Sequence, residues 1–149
     1  MTYLIFGGSG FIGTHLVALL KEQYPLDTII NLDLVENNHD GKSIYVNCDV
    51  RKEINLNIPI SQESVIFNFA AVHRTPGHLD HAYFETNIFG AENVTAFAEK
   101  HGVKKIVFTS SIAPYGAAED LKEETTIPTP NTPYGISKLV AEKIHMIWQ

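Results

Sequence analysis

The sequence predicts an α/β fold, a doubly wound parallel sheet with helices on both faces in a three-layer αβα arrangement. Three observations predict it. Short apolar, β-prone runs alternate with stretches of helical periodicity along all 149 residues, as repeated strand–helix–strand units do. A glycine-rich turn, Gly7-Gly8-Ser9-Gly10-Phe11-Ile12-Gly13, joins the first run to the first helical stretch. Asp33 closes the second run 20 residues beyond Gly13, the offset at which an acid meets a nucleotide ribose in such a unit.

Residues 2–6 (Thr-Tyr-Leu-Ile-Phe) read as a buried first strand. Ile12, Leu16, Leu19 and Leu20 recur at helical spacing, so a helix begins inside the glycines and these four are its expected buried face. The glycines fit two registers, Gly8-x-Gly10-x-x-Gly13 and Gly7-x-x-Gly10-x-x-Gly13. One glycine allows the sharp turn, one lets a pyrophosphate approach bare backbone, and one lets the helix pack on the strand. The free N–H groups at the helix start then face the phosphates. Gly7, Gly10, Phe11, Ile12 and Gly13 are therefore candidate cofactor contacts. The alternative is a tight turn with no ligand.

Residues 28–32 are the second strand. A carboxylate at Asp33 accepts from the adenosine ribose and repels a 2′-phosphate, and no arginine follows in Leu34-Val35 to offset that repulsion. The expected cofactor is NAD, not NADP. The other reading of Asp33 is a strand-end turn cap. Residues 36–42 are polar and read as a loop or a single turn, and 43–47 as a third strand. Beyond it, Asp49 is placed to accept from the adenine amino group with Val50 against the ring. Equally, Asp49 caps the next segment. Residues 51–62 carry weak periodicity and no assignment. A fourth strand covers 64–69, and the small Ala70-Ala71 follow where a cofactor would pass its tip.

His73, His78 and His81 lie close together, but their spacing fits no standard zinc pattern. The expectation is solvated or substrate-facing histidines and no metal. Residues 79–101 read as one long helix with Ala82, Ile88, Ala91, Val94 and Ala98 buried and Gly102 as its left-handed cap. Asn87, in mid-helix, bonds back into the structure or holds a water. A fifth strand spans 104–110, a surface loop 117–133, and a final helix opens with Thr132 as cap and Pro133 in its first turn. The expected strand order is 3-2-1-4-5.

Tyr134 and Lys138 stand one helical turn apart, on one face. A phenol is a poor base at neutral pH, and a neighbouring ammonium favours the phenolate. Ser111, at the end of a central strand, is placed to donate to the same substrate oxygen.

A net charge of −6 without any basic run argues against a nucleic-acid partner. The single cysteine, Cys48, excludes an internal disulfide and fits a reducing compartment. No apolar run approaches the ~18 residues of a membrane span. The first strand begins so early that no signal peptide is expected. These features predict a one-domain cytoplasmic chain.

The chain resembles the extended short-chain dehydrogenase/reductase family, in its NAD-dependent nucleotide-sugar epimerase/dehydratase branch. The resemblance rests on residues 7–13, Asp33, Asp49-Val50, Phe69-Ala70-Ala71, Asn87, Ser110-Ser111 with Tyr115-Gly116, and Tyr134 with Lys138. It implies a Rossmann fold and a proton relay. In that relay Ser111 and Tyr134 contact a sugar hydroxyl and Lys138 holds the nicotinamide ribose. Asp33 would hold the adenosine ribose, Asp49 and Val50 the adenine, and Ala70-Ala71 the pyrophosphate side. Asn87 joins the cofactor set. Dehydrating members carry acidic residues after the catalytic serine or threonine. Ile112-Ala113 stand there in this chain, so the resemblance favours 4-epimerisation over dehydration. A reductase of the same family, or a non-catalytic NAD-binding module, are the alternatives. The resemblance also implies a homodimer through the helices at 79–101 and 132–149. Family members have about twice this length, so residues 1–149 are expected to be an NAD-binding domain. A C-terminal substrate domain would lie outside it, and the chain alone would be inactive.

Overall fold

A computed structural model describes residues 1–36, 43–73, 77–117 and 120–149. The loop expected at 36–42 lies, beyond its first residue, outside the described residues. Five parallel strands form one sheet: β1 (Thr2–Phe6), β2 (Thr28–Asp33), β3 (Ile44–Asn47), β4 (Val65–Asn68) and β5 (Lys105–Phe108). Their order is β3-β2-β1-β4-β5, as the sequence predicts. The helices are α1 (Phe11–Gln23), α2 (Asp80–Tyr83), α3 (Gly90–His101) and α4 (Pro133–Trp148).

Strand alternation sorts the core into two layers. Leu4, Phe6, Ile30, Leu32 and Ile66 meet Val94, Phe97 and Ala98 of α3 on one face. Tyr3, Ile5 and Ile29 meet Val17 and Leu20 of α1 on the other. Each such side chain, fully buried, contributes about 1.5–3 kcal/mol. Strands are added outward from β1 toward β3 and then from β4 toward β5, so the order switches at the parallel β1/β4 pair and the carboxyl ends of these two strands flank a crevice.

Two elements differ from the sequence expectation. Of the four expected residues Leu20 is buried and Leu16 half-buried, but Ile12 and Leu19 are about half exposed, and α1 buries Gly13 and Val17 in their place. The close packing of Gly13 on the turn rotates the helix toward that side. The long helix at 79–101 is three pieces: α2, a π-helical segment (Phe84–Phe89) and α3. The wider π turn buries Asn87, Tyr83 of α2 is buried just before it, and Ala82 and Ile88 stay half-buried. Ala91, Val94 and Ala98 are buried, and Gly102 caps α3 at φ 66°.

On α4, His145 is buried between β4 and α3. Thr95 Oγ1 donates to the Ala91 carbonyl and so accepts from His145 Nδ1 at 3.3 Å, while Nε2 accepts from Asn68 Nδ2 at 3.0 Å. These partners suit a neutral ring. Burial, and then the Lys138 charge, pull its pKa down to about 4. A depressed pKa for a base means that the unfolded chain binds the extra proton first. Stability is therefore whole above the ordinary value of 6.5 and is lost as pH falls from there toward 4. The expected slope is about 1.4 kcal/mol per pH unit. Urea titrations of the native protein and of His145→Gln between pH 4 and 7 check this. Parallel slopes would remove His145 as the cause.

Candidate active site

The glycine turn, the tips of β2, β3 and β4, and the start of α4 enclose a cavity of about 870 Å³. At one end stand Asp33, Leu34, Asp49, Val50 and Arg51, and at the other Ala71, His73, Thr109, Ser110, Tyr134 and Lys138. The glycine turn lies between them, with Gly7, Gly10, Phe11, Ile12 and Gly13 in the wall. Gly8 is absent from it. The register that faces the cavity is Gly7-x-x-Gly10-x-x-Gly13. Gly7 has φ +77°, and a Cβ there would lie 2.6 Å from the backbone nitrogen of Ala70. No side chain caps α1 at Gly10, which leaves the first-turn N–H groups to a ligand.

Asp33 fixes the turn from below. Its Oδ2 accepts from Ser9 N at 3.0 Å and its Oδ1 from Val35 N at 3.3 Å. Asp33 thus braces a turn, and it also lines the cavity. Asp49 is the same. It accepts from Arg51 N at 3.1 Å and takes the Arg51 guanidinium bidentately at 2.8 and 2.7 Å. That pairing holds its carboxyl below the usual range. Val50 is buried beside it, and Ala70 and Ala71 lie in the wall at the β4 tip.

Thr132 caps α4 by accepting from Gly135 N at 3.0 Å, which points the first turn of the helix at the cavity. Tyr134 and Lys138 both line it. Lys138 is 3 % exposed, with its Nζ 4.1 Å from the centre of the Phe108 ring. Burial pulls its pKa down to about 8. Among the described residues its ammonium has no hydrogen-bond acceptor, although it opens on the cavity. A buried cation without acceptors is costly, and ligand hydroxyls there would supply them.

Two expected site residues stand behind the wall and not in it. Asn87 lies outside the cavity lining. The π turn aims its amide at Val72, with N–H and C=O both bonded (2.8 and 3.1 Å), and at Ser137 Oγ (2.8 Å). Ser137 Oγ in turn donates to the Tyr134 carbonyl at 2.8 Å. Asn87 thus bonds back into the structure, tying the β4 tip to the turn that carries Tyr134. Ser111 is likewise outside the lining, because the chain turns after Ser110 toward a 3-10 turn (Ala113–Tyr115), and Ser111 Oγ accepts from Ala113 N at 3.1 Å. The neighbouring Thr109 and Ser110 are in the wall, and the sequence singled out neither for a role of its own. His73 is an exposed lining residue, while His78 packs edge-on against Tyr83 at 5.8 Å.

Residues 3–149 match the model of the NAD dependent epimerase/dehydratase family. The chain belongs to this family. It is 34% identical over 145 residues to the N-acetyl-alpha-D-glucosaminyl-diphospho-ditrans,octacis-undecaprenol 4-epimerase of Escherichia coli O157:H7, covering 97% of this chain and 43% of that protein. Its fold is similar to a UDP-galactose 4-epimerase structure at TM-score 0.85 and 27% identity, covering 97% of this chain and 50% of the other. It is also similar to MoeE5 in complex with UDP-glucuronic acid and NAD, at TM-score 0.83 and 26% identity over 99% and 49%. The chain thus spans about half the length of these family members.

Proposed function

We propose that this chain is the NAD-binding part of a nucleotide-sugar 4-epimerase. The observation that carries the reading is the presence of Tyr134 and Lys138 in the wall of the same cavity as the glycine turn. Residues 1–149 would be one dinucleotide-binding domain, and the doubled length of the relatives suggests that further chain completes the sugar pocket. The residues fit NAD: bare backbone at Gly10, a carboxylate at the ribose position and an unsatisfied buried ammonium at the other end.

Bound NAD supplies the hydride acceptor and donor. The chain's own residues do the rest. The N–H groups of Phe11 and Ile12 bind the pyrophosphate, Asp33 the adenosine ribose, Asp49 the adenine amine and Lys138 the second ribose. Tyr134 Oη takes the proton of the sugar 4-hydroxyl as that carbon is oxidised and gives it back after the keto sugar turns over. Ser111 stands behind the wall with its own proton retained, so its donation to the same oxygen requires that side chain to turn into the cavity. Epimerisation is favoured over dehydration because, among the described residues, no carboxylate lines the Tyr134 end. The acidic wall residues, Asp33, Glu36 and Asp49, are at the adenosine end. Assaying the intact protein with UDP-, GDP- and dTDP-sugars tests the reading. Interconversion of C4 epimers is expected, and NAD binding without turnover of any sugar would favour a non-catalytic module.

NAD is expected to bind more tightly than NADP. The Asp33 carboxylate faces the position of the 2′-phosphate, and Arg51, the arginine in the described wall, is held by Asp49. Parallel calorimetric titrations check it, and equal or tighter NADP binding would sink it.

A homodimer forms, on this reading, through the helices at 79–101 and 132–149. The support is their exposed apolar residues Phe89, Ile136, Val140, Met146 and Ile147. A monomer mass by light scattering at high micromolar concentration would count against it. The buried free thiol of Cys48 is consistent with a cytoplasmic site.

A further inference from the structure

The two adjacent serines at the tip of β5 have opposite hydrogen-bonding duties, and Glu142 assigns them. Ser110 Oγ donates its only proton to Glu142 Oε2 at 2.9 Å. Glu142 lies on α4, one turn beyond Lys138, and an ionised carboxylate accepts only. Ser110 lines the cavity at the Tyr134 end, and what it has left to offer is a pair of acceptor positions. Ser111 has the reverse arrangement. Its Oγ accepts from Ala113 N at 3.1 Å and its proton stays free to donate.

We propose that Ser110 is a ligand-binding residue which acts solely as a hydrogen-bond acceptor, with Glu142 as the positioning residue that holds it in that role. Its partner is an N–H or O–H donor of a ligand at the Tyr134 end. Two sources carry that chemistry: the carboxamide of a nicotinamide and a hydroxyl of the sugar. The proposal rests on the function proposed above for the identity of these ligands. The hydrogen bond itself does not depend on it.

The bond also fixes geometry. It crosses from the segment after β5, which carries Ser111, to the helix carrying Tyr134 and Lys138, so this contact ties together the two halves of the relay. It is a charge-assisted bond, stronger than a bond between two neutral groups. Without Glu142, the Ser110 hydroxyl is free to rotate, and a ligand donor must itself order the hydroxyl before a lone pair accepts from it.

The test is a binding cycle on the intact protein with Ser110→Ala, Glu142→Leu, Glu142→Gln and the double variant Ser110→Ala/Glu142→Leu. Melting curves confirm that each is folded. NAD is titrated first, then UDP-glucose in the presence of saturating NAD. Ser110→Ala is expected to weaken one of the two ligands about 3- to 10-fold, the size of one neutral hydrogen bond. Weakened NAD assigns the carboxamide, and weakened UDP-glucose the sugar hydroxyl. Glu142→Leu should weaken the same ligand, and the double variant should be no worse than Ser110→Ala alone, since Glu142 acts through Ser110. Glu142→Gln, whose amide oxygen can still accept, should restore most of the affinity. Native affinity for both ligands in Ser110→Ala overturns the proposal, as do additive losses in the double variant. Failure of the unsubstituted protein to bind NAD at all overturns the proposed function instead.

Discussion

Tyr134→Phe is expected to lower kcat of the intact protein roughly 10²- to 10⁴-fold, the range for a placed proton-transfer group, with NAD affinity unchanged. The substitution removes one oxygen and nothing else. The ring keeps its contact with Tyr83, whose centroid is 6.3 Å away, and Thr132 still caps the helix. The Ser137 bond to the Tyr134 carbonyl is a backbone contact and survives. Lys138 and the glycine turn are untouched. Steady-state kinetics with a UDP-sugar, beside an NAD titration, check both halves of the expectation. Turnover near the native rate would take Tyr134 out of the mechanism. A parallel loss of NAD affinity would mean that the hydroxyl acts on the cofactor and not on the sugar.

Gly13→Ala should damage the fold, and Gly10→Ala should damage only binding. A Cβ on Gly13 would lie 2.5 Å from Gly8 Cα and 2.6 Å from the carbonyl oxygens of Gly7 and Gly8. These are backbone atoms of the turn itself, so they cannot yield without opening it. Overpacking of this kind costs about 1–3 kcal/mol or more, and each kcal/mol lowers Tm by about 2–4 °C in a chain of this size. NAD binding should fall with it, because the N–H groups of α1 are displaced. Gly10 is different. Its φ of −73° suits any residue, and an added Cβ meets only Gly7 O, at 3.3 Å. Gly10→Ala should melt close to the native protein and still bind NAD poorly, because the methyl group occupies the approach of the pyrophosphate. Thermal melting and calorimetry on the pair separate the two glycines. Equal Tm values for Gly13→Ala and the native protein would show that α1 can retreat from the turn.

The strands and their order were legible because local pattern and global fold agree. Residues 2–6 and 28–32 are apolar runs with no competing periodicity, and each strand appears within a residue or two of its expected place. The glycine turn and Asp33 were legible because their spacing is a property of one strand–turn–helix unit. The helical register of Tyr134 and Lys138 was legible for the same reason. Two helices were misjudged where long-range packing competes with periodicity. Apolar Ile12 and Leu19 face outward because Gly13 must touch the turn. The 79–101 stretch widens into a π turn where Asn87 reaches two other segments.

The sequence by itself determined the fold class, the strand order, the family resemblance, and which residue types could hold a dinucleotide and move a proton. Only the tertiary structure decided how they are shared out. It chose Gly7 over Gly8 for the cavity wall and moved Asn87 and Ser111 behind that wall. It seated Lys138 against Phe108 and gave the proton of Ser110 to Glu142. The physical reason is range. Glycine spacing, caps and i,i+4 pairs act within a turn or two, where the sequence states them directly. Burial of an ammonium, the direction of a hydroxyl proton and the tautomer of His145 are set by groups 30 to 80 residues away. The partner of Ser110 is 32 residues on and that of His145 is 77 residues back. No local pattern records which of them will meet.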